Sequence, residues 1–100
     1  MDYLFVYGTL KDPKIRKQLT GKYFNSSQGL LKKYLLNNID IDGVIYPIIE
    51  YTGKDEDIVA GEYFVIDEVD LKKFDVYEGA EYRRIKVTLD NLLETWIYCK

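Results

Sequence analysis

The sequence predicts an α+β fold: a small mixed β-barrel, closed or nearly so, with short helices packed outside it. Three observations carry this expectation. Six segments of four to nine residues are rich in β-branched and aromatic residues. Only two segments combine a helix start signal with apolar residues at helical spacing. The connections are short, polar and mixed between hairpins and crossovers. A chain of 100 residues suits one domain, spanning 1–100.

The elements follow in order. Tyr3 to Tyr7 is too short and too aromatic for a helix and reads as a buried strand. Gly8-Thr9 interrupts it. Asp12 and Pro13 form a helix start, cap then first turn, and Ile15 and Leu19 share one face of the short helix that Gly21 ends. Asn25 to Gly29 reads as a polar loop. Leu30 to Asn37 mixes leucines with Lys32, Lys33 and Tyr34 and leans towards strand. Asp40-Ile41-Asp42-Gly43 is turn-like. Val44 to Tyr51 is strand-rich, and Pro47 inside it cannot donate a ladder hydrogen bond, so it belongs at an edge or a bend. Thr52 to Asp57 is a charged loop, and Ile58 to Ile66 a strong strand. Asp67 caps a helix from about Glu68 to Tyr77, with Asp70 placed as in a capping box and Leu71 and Phe74 as its apolar contacts. Gly79 lies past its end. From Arg84 to Leu89, Ile85, Val87 and Leu89 alternate with Arg84, Lys86 and Thr88. Asp90-Asn91 is a turn, and Thr95 to Tyr98 the last strand.

The inventory narrows the chemistry. There is no histidine, which removes Ser-His and Cys-His nucleophiles and any histidine-ligated metal. The single cysteine, Cys99, allows neither an internal disulfide nor a multi-cysteine zinc site. Acid/base work near neutral pH therefore falls to a carboxylate, lysine or tyrosine with a shifted pKa. The net charge is −3 with both signs interleaved, which argues against a nucleic-acid partner. No apolar run reaches the ~20 residues of a membrane helix, and the acidic start lacks the features of a secretory signal, so a cytoplasmic location is expected. Ten tyrosines are read as strand residues with one wet end.

Two segments could carry chemistry. A strand followed by Gly8-Thr9 and a helix start leaves backbone N–H groups unpaired, and Gly8 admits close approach of another molecule. A plain tight turn explains the same letters. Glu78 falls at the C-terminal end of the second helix, beside the negative end of the helix dipole and near Asp75 and Glu81. These charges and any burial would raise its pKa towards that of a competent general acid/base; a solvated surface glutamate is the other reading. Glu62 shares a strand face with Ala60, Phe64 and Ile66 and would need an arginine or tyrosine partner if buried. A Glu62–Glu78 carboxylate pair is a further possibility for catalysis. Arg83 and Arg84 lie on opposite faces, one of them a candidate partner for a buried acid. Lys32-Lys33 and Lys72-Lys73 read as solvated faces.

Taken together, these segments resemble the γ-glutamylcyclotransferase-like family, which includes γ-glutamylamine cyclotransferases and plant avirulence-induced proteins. The resemblance is carried by Tyr3 to Lys11, by Tyr46-Pro47-Ile48-Ile49, by Val59 to Asp67 with its Gly61-Glu62, and by Leu71 to Gly79 followed by Tyr82 and Arg84. It spans most of the chain in the family's order, and is poor from Tyr23 to Asn38. It implies a small barrel with a cavity at one mouth. It implies a turn, Tyr7, Gly8, Thr9 and Leu10, that holds a γ-glutamyl group largely through N–H groups, with Tyr82 and Arg84 as further substrate contacts. It implies Glu78 as acid/base for the attack of a γ-glutamyl α-amine on its own γ-carbonyl, releasing 5-oxoproline and an amine. No metal or cofactor is implied. The partner would be a small γ-glutamyl molecule, with neither membrane nor nucleic acid; a homodimer presenting tyrosine-rich strands is a separate possibility. A non-catalytic protein that keeps the fold and binds a small ligand is the alternative.

Overall fold

The computed structural model describes residues 2–99. Along the chain run β1 (Asp2–Val6), a single 3₁₀ turn (Thr9–Lys11), α1 (Pro13–Thr20), β2 (Ser27–Lys32), β3 (Tyr34–Ile41), β4 (Val44–Tyr51), β5 (Ile58–Ile66), α2 (Glu68–Glu78), β6 (Arg83–Thr88) and β7 (Glu94–Cys99). The α+β class is as expected. The strand count differs, because the ambiguous stretch after Gly29 is not one strand. Lys33 takes a left-handed conformation (φ 73°) and breaks the chain into β2 and β3. β2 also begins earlier than expected, inside the polar loop, at Ser27.

Five strands form a mixed sheet in the order β2-β5-β1-β7-β6, and β3 pairs only with β4 in a separate hairpin. β1 is central, antiparallel to β5 and parallel to β7. The β5–α2–β6 connection therefore crosses over β1 and β7. The sheet does not close: β2 and β6 are its two edges. The expected barrel is accordingly an open sheet faced by a hairpin. Pro47, paired in register with Asn38, lies in a two-stranded ribbon where every strand is an edge, so its missing N–H breaks no interior ladder. The hairpin turns on Asp42 and Gly43, both at positive φ (52° and 82°), which is the two-residue geometry that matches strand twist. Asp40 Oδ1 accepts from the Gly43 N–H at 2.8 Å to hold it.

Strand alternation gives the sheet two apolar faces. Leu4, Val6, Phe64, Ile66 and Tyr98 point to one side, where Leu71 and Phe74 of α2 and Leu10 complete a buried cluster. Phe5, Val59, Ile97 and Cys99 point to the other, where Leu31, Leu89 and Ile49 of the hairpin cover them. The architecture is thus helices, sheet and hairpin in layers. Gly61 is required where β1 meets β5: a Cβ there would lie 2.4 Å from the Val6 carbonyl oxygen and 2.7 Å from the Phe5 ring.

Both helix starts behave as read. Asp12 Oδ1 accepts from the Lys14 N–H at 2.9 Å, and Asp67 Oδ1 from the Asp70 N–H at 2.8 Å. Asp70 does not reach back to complete a capping box. Its carboxylate, one methylene shorter than that of glutamate, is buried and takes Lys22 Nζ at 2.6 Å and Lys73 Nζ at 3.5 Å. Lys73 is therefore paired rather than merely solvated, and Lys22 ties the end of α1 to the start of α2. Among the described residues no helix is long and apolar enough to cross a membrane.

Candidate active site

The site begins where β1 runs out. After Val6 the chain passes Tyr7 and bends at Gly8, where a Cβ would sit 2.9 Å from Pro47 Cγ. Gly8 is therefore needed for packing against the hairpin, whatever else it does. The Lys11 N–H donates to the Gly8 carbonyl at 3.0 Å, closing the 3₁₀ turn. The N–H groups of Thr9 and Leu10, at the start of that turn, have no partner within it. Leu10 is buried and anchors the turn in the helix-side cluster. Beneath it lies Arg16, only 3% exposed, whose Nη1 donates to the Leu10 carbonyl at 2.8 Å and the Lys11 carbonyl at 3.2 Å. Its guanidinium stacks 4.9 Å from the centre of the Phe64 ring. Burial pulls its pKa below the ordinary arginine value.

The second half is the end of α2. Glu78 is the last helical residue, half-buried. Among the described residues its carboxyl has no hydrogen-bonding or ion-paired partner. Burial pushes its pKa from the usual 4.5 to about 7. The neighbouring acids that were expected to add to this shift do not contribute to it. Asp75 takes Arg84 Nε at 3.0 Å and Nη2 at 3.2 Å, and accepts from the Tyr98 hydroxyl at 2.7 Å. Glu81 is exposed at the rim. Desolvation is the cause that the structure supplies.

Turn and helix end face one cavity of about 280 Å³. Tyr7, Gly8, Thr9 and Leu10 line it from one side; Tyr77, Glu78, Glu81 and Tyr82 line it from another. Ile41, Tyr46 and Pro47 of the hairpin and Tyr98 of β7 complete the wall. The phenols knit these elements together. The Tyr7 hydroxyl donates to the Tyr98 carbonyl, that of Tyr82 to the Pro47 carbonyl at 2.8 Å, and that of Tyr77 to Thr9 Oγ1 at 3.2 Å. Burial raises the pKa of Tyr7, Tyr82 and Tyr98 above the ordinary phenol value, further helped for Tyr7 and Tyr82 by nearby Glu78 and for Tyr98 by Asp75. All three remain neutral donors at physiological pH. Among the described residues no three acids or cysteines are grouped to hold a metal ion.

The fold thus brings together Tyr7, Gly8, Thr9, Leu10, Glu78 and Tyr82 from opposite ends of the chain. Arg84 stands apart. It does not line the cavity; it pairs with Asp75 and lies over the Trp96 ring at 4.3 Å. It braces the end of α2 through Asp75, reaching the helix from β6, the outermost strand of the sheet. Glu62 also lies away from the cavity, accepting from the Ser26 hydroxyl at 2.7 Å, which removes the Glu62–Glu78 pair. Tyr46, Tyr77, Tyr98 and Ile41 were not picked out by sequence reasoning as site residues. Ten tyrosines carry no mark to separate those with a dry hydroxyl from those with a wet one. Arg16 was also missed; its only signal was a charge beside the apolar positions Ile15 and Leu19 of a short helix.

Comparison with known proteins gives the family and the fold. The family model described as gamma-glutamyl cyclotransferase, AIG2-like, matches residues 4–100. A protein of Arabidopsis thaliana known from its solution structure superposes with a TM-score of 0.78 at 25% identity, over 98% of this chain and 61% of that one. A structure named as a gamma-glutamyl cyclotransferase aligns with a TM-score of 0.74 at 14% identity, covering 98% of this chain and 65% of its own. An uncharacterised protein of Pyrococcus horikoshii gives 0.72 at 17% identity, covering 99% and 77%. The last two likenesses are of fold alone. The chain spans about 61% of the length of the Arabidopsis protein. No curated protein matches it.

Proposed function

We propose that this chain, which belongs to the gamma-glutamyl cyclotransferase, AIG2-like family, releases 5-oxoproline and a free amine from γ-glutamyl amines or dipeptides, with Glu78 as the proton carrier. The observation that carries the reading is Glu78 itself. A carboxyl with no hydrogen-bonding or ion-paired partner among the described residues, raised to about 7 by burial, shares a cavity with a turn that offers backbone N–H groups. A group titrating near neutrality can both accept and return a proton at working pH.

The chemistry needs little else. Glu78, as carboxylate, takes a proton from the substrate's α-ammonium. The freed amine attacks the γ-carbonyl carbon, forming the ring C–N bond and a tetrahedral oxyanion. Donors at the Thr9–Leu10 turn are suited to that oxyanion or to the glutamyl carboxylate. As the intermediate collapses, Glu78 returns its proton to the original amine nitrogen, the bond to that nitrogen breaks, and the extra proton on the new ring nitrogen passes through the same carboxylate to the departing amine, which leaves as an ammonium. No enzyme nucleophile is required, consistent with the absence of histidine. Holding the glutamyl chain curled supplies proximity, worth up to ~7–11 kcal/mol in well-oriented cases.

The test is a screen for 5-oxoproline release from γ-glutamyl-ε-lysine and short γ-glutamyl dipeptides. Release by the wild type and its loss in Glu78→Gln, with the fold intact by circular dichroism, is the expected outcome. Undiminished release by Glu78→Gln would remove that residue from the mechanism. Saturable binding with no product from any substrate would mark a binding protein instead.

A further inference from the structure

We infer that the leaving-group side of this cavity selects an amine that carries a positive charge and rejects one that carries a carboxylate, with Glu81 as the specificity-determining residue. The inference rests on the cyclotransferase reading above and decides between the two substrate classes that it leaves open.

The argument is one of charge. Among the described residues the only charged side chains in the cavity wall are Glu78 and Glu81, and no lysine or arginine among them lines it. None of the three arginines serves: Arg16 is committed to the carbonyls beneath the turn, Arg84 to Asp75, and Arg83 does not line the cavity. Glu81 is exposed at the rim, three residues past Glu78, and among the described residues has no hydrogen-bonding or ion-paired partner. α2 also ends at this wall, so the negative end of its dipole lies on the same side. Tyr46 and Tyr82 line the same cavity and bring no positive charge to it. The turn at Thr9 and Leu10 is a place for one carboxylate, that of the glutamyl group. A γ-glutamyl dipeptide brings a second, which would find no cation and would face Glu81. A γ-glutamyl diamine brings an ammonium, which Glu81 would meet.

Three substrates of matched length separate the cases: γ-glutamyl-1,4-diaminobutane, γ-glutamyl-butylamine and γ-glutamyl-4-aminobutyrate. In the wild type, kcat/KM is expected to fall in that order, by about five- to tenfold per step at low salt, as suits a partly exposed charge. The steps should shrink in about 0.5 M salt. Glu81→Gln should bring the cation-to-neutral ratio close to one, and Glu81→Lys should invert the order. An order that is flat or led by the carboxylate in the wild type, or one that survives Glu81→Gln, would overturn the inference. If neither the three nor the γ-glutamyl-ε-lysine and dipeptides of the screen above yield 5-oxoproline, the cyclotransferase reading falls by itself. The affinity order of the same three compounds by calorimetry then decides charge selection, and the absence of binding by all three would overturn it too.

Discussion

Burial raises the Glu78 carboxyl from 4.5 to about 7, so the folded protein keeps a proton that the unfolded chain has already released. Between those two values the unfolded state binds fewer protons, and stability falls as pH rises through the window. The stability lost amounts to up to about 3 kcal/mol at pH 8. Glu78→Gln, which cannot ionise, should therefore be more stable than the wild type by about 1–3 kcal/mol at pH 8 and about equal to it at pH 4. Urea titrations at the two pH values measure this. The same variant should lose 5-oxoproline release, so stability and activity move in opposite directions. In the wild type, release should rise with pH through a midpoint near 7, because the carboxylate is the form that accepts the first proton. At Gly8, a Cβ 2.9 Å from Pro47 Cγ must push the proline ring aside. Gly8→Ala should cost about 1 kcal/mol of stability and a larger share of activity, because Pro47 is also cavity wall.

Elements here are positioned by polar locks between them. Asp75, one turn before Glu78, receives Arg84 from β6 and Tyr98 from β7, and so fixes the last turn of α2 on the sheet. Arg84→Ala should lower stability by about 1–2 kcal/mol and, on the proposed mechanism, reduce kcat more than it raises KM, since it shifts Glu78 through Asp75 while lying outside the cavity wall. Steady-state kinetics with chemical denaturation separate the two effects. Lys22 to the buried Asp70 does the corresponding work between the helices. Sequence reading found the caps, Asp12 and Asp67, because capping is local: the side chain bonds a backbone N–H two or three residues away. It missed these locks because their partners are 9 to 48 residues apart.

At the scale of the whole molecule, the cavity exists because three layers meet at one edge. The hairpin β3–β4 supplies Ile41, Tyr46 and Pro47 to the wall and is held to the sheet by Ile49, which is 3% exposed. Ile49→Ala should cost about 2–4 kcal/mol, and hydrogen exchange should show β3 and β4 loosened before the central strands. Binding should weaken with them.

Much was decided by the letters alone. Period-two apolar segments, two capped helices and a histidine-free inventory determined an α+β chain whose acid/base chemistry was left to a carboxylate, lysine or tyrosine. Glu78 and the Tyr7–Leu10 turn stood out as local exceptions, an acid at the wrong end of a helix and a glycine after a strand. Only the tertiary structure decided that the sheet stays open, that Arg84 braces α2 instead of lining the cavity, and that Glu78 is dry enough to titrate near neutrality. The reason is physical. Propensity and capping act over a few residues and can be read in order, whereas desolvation and cavity shape depend on groups brought together from β1, the hairpin, α2 and β7.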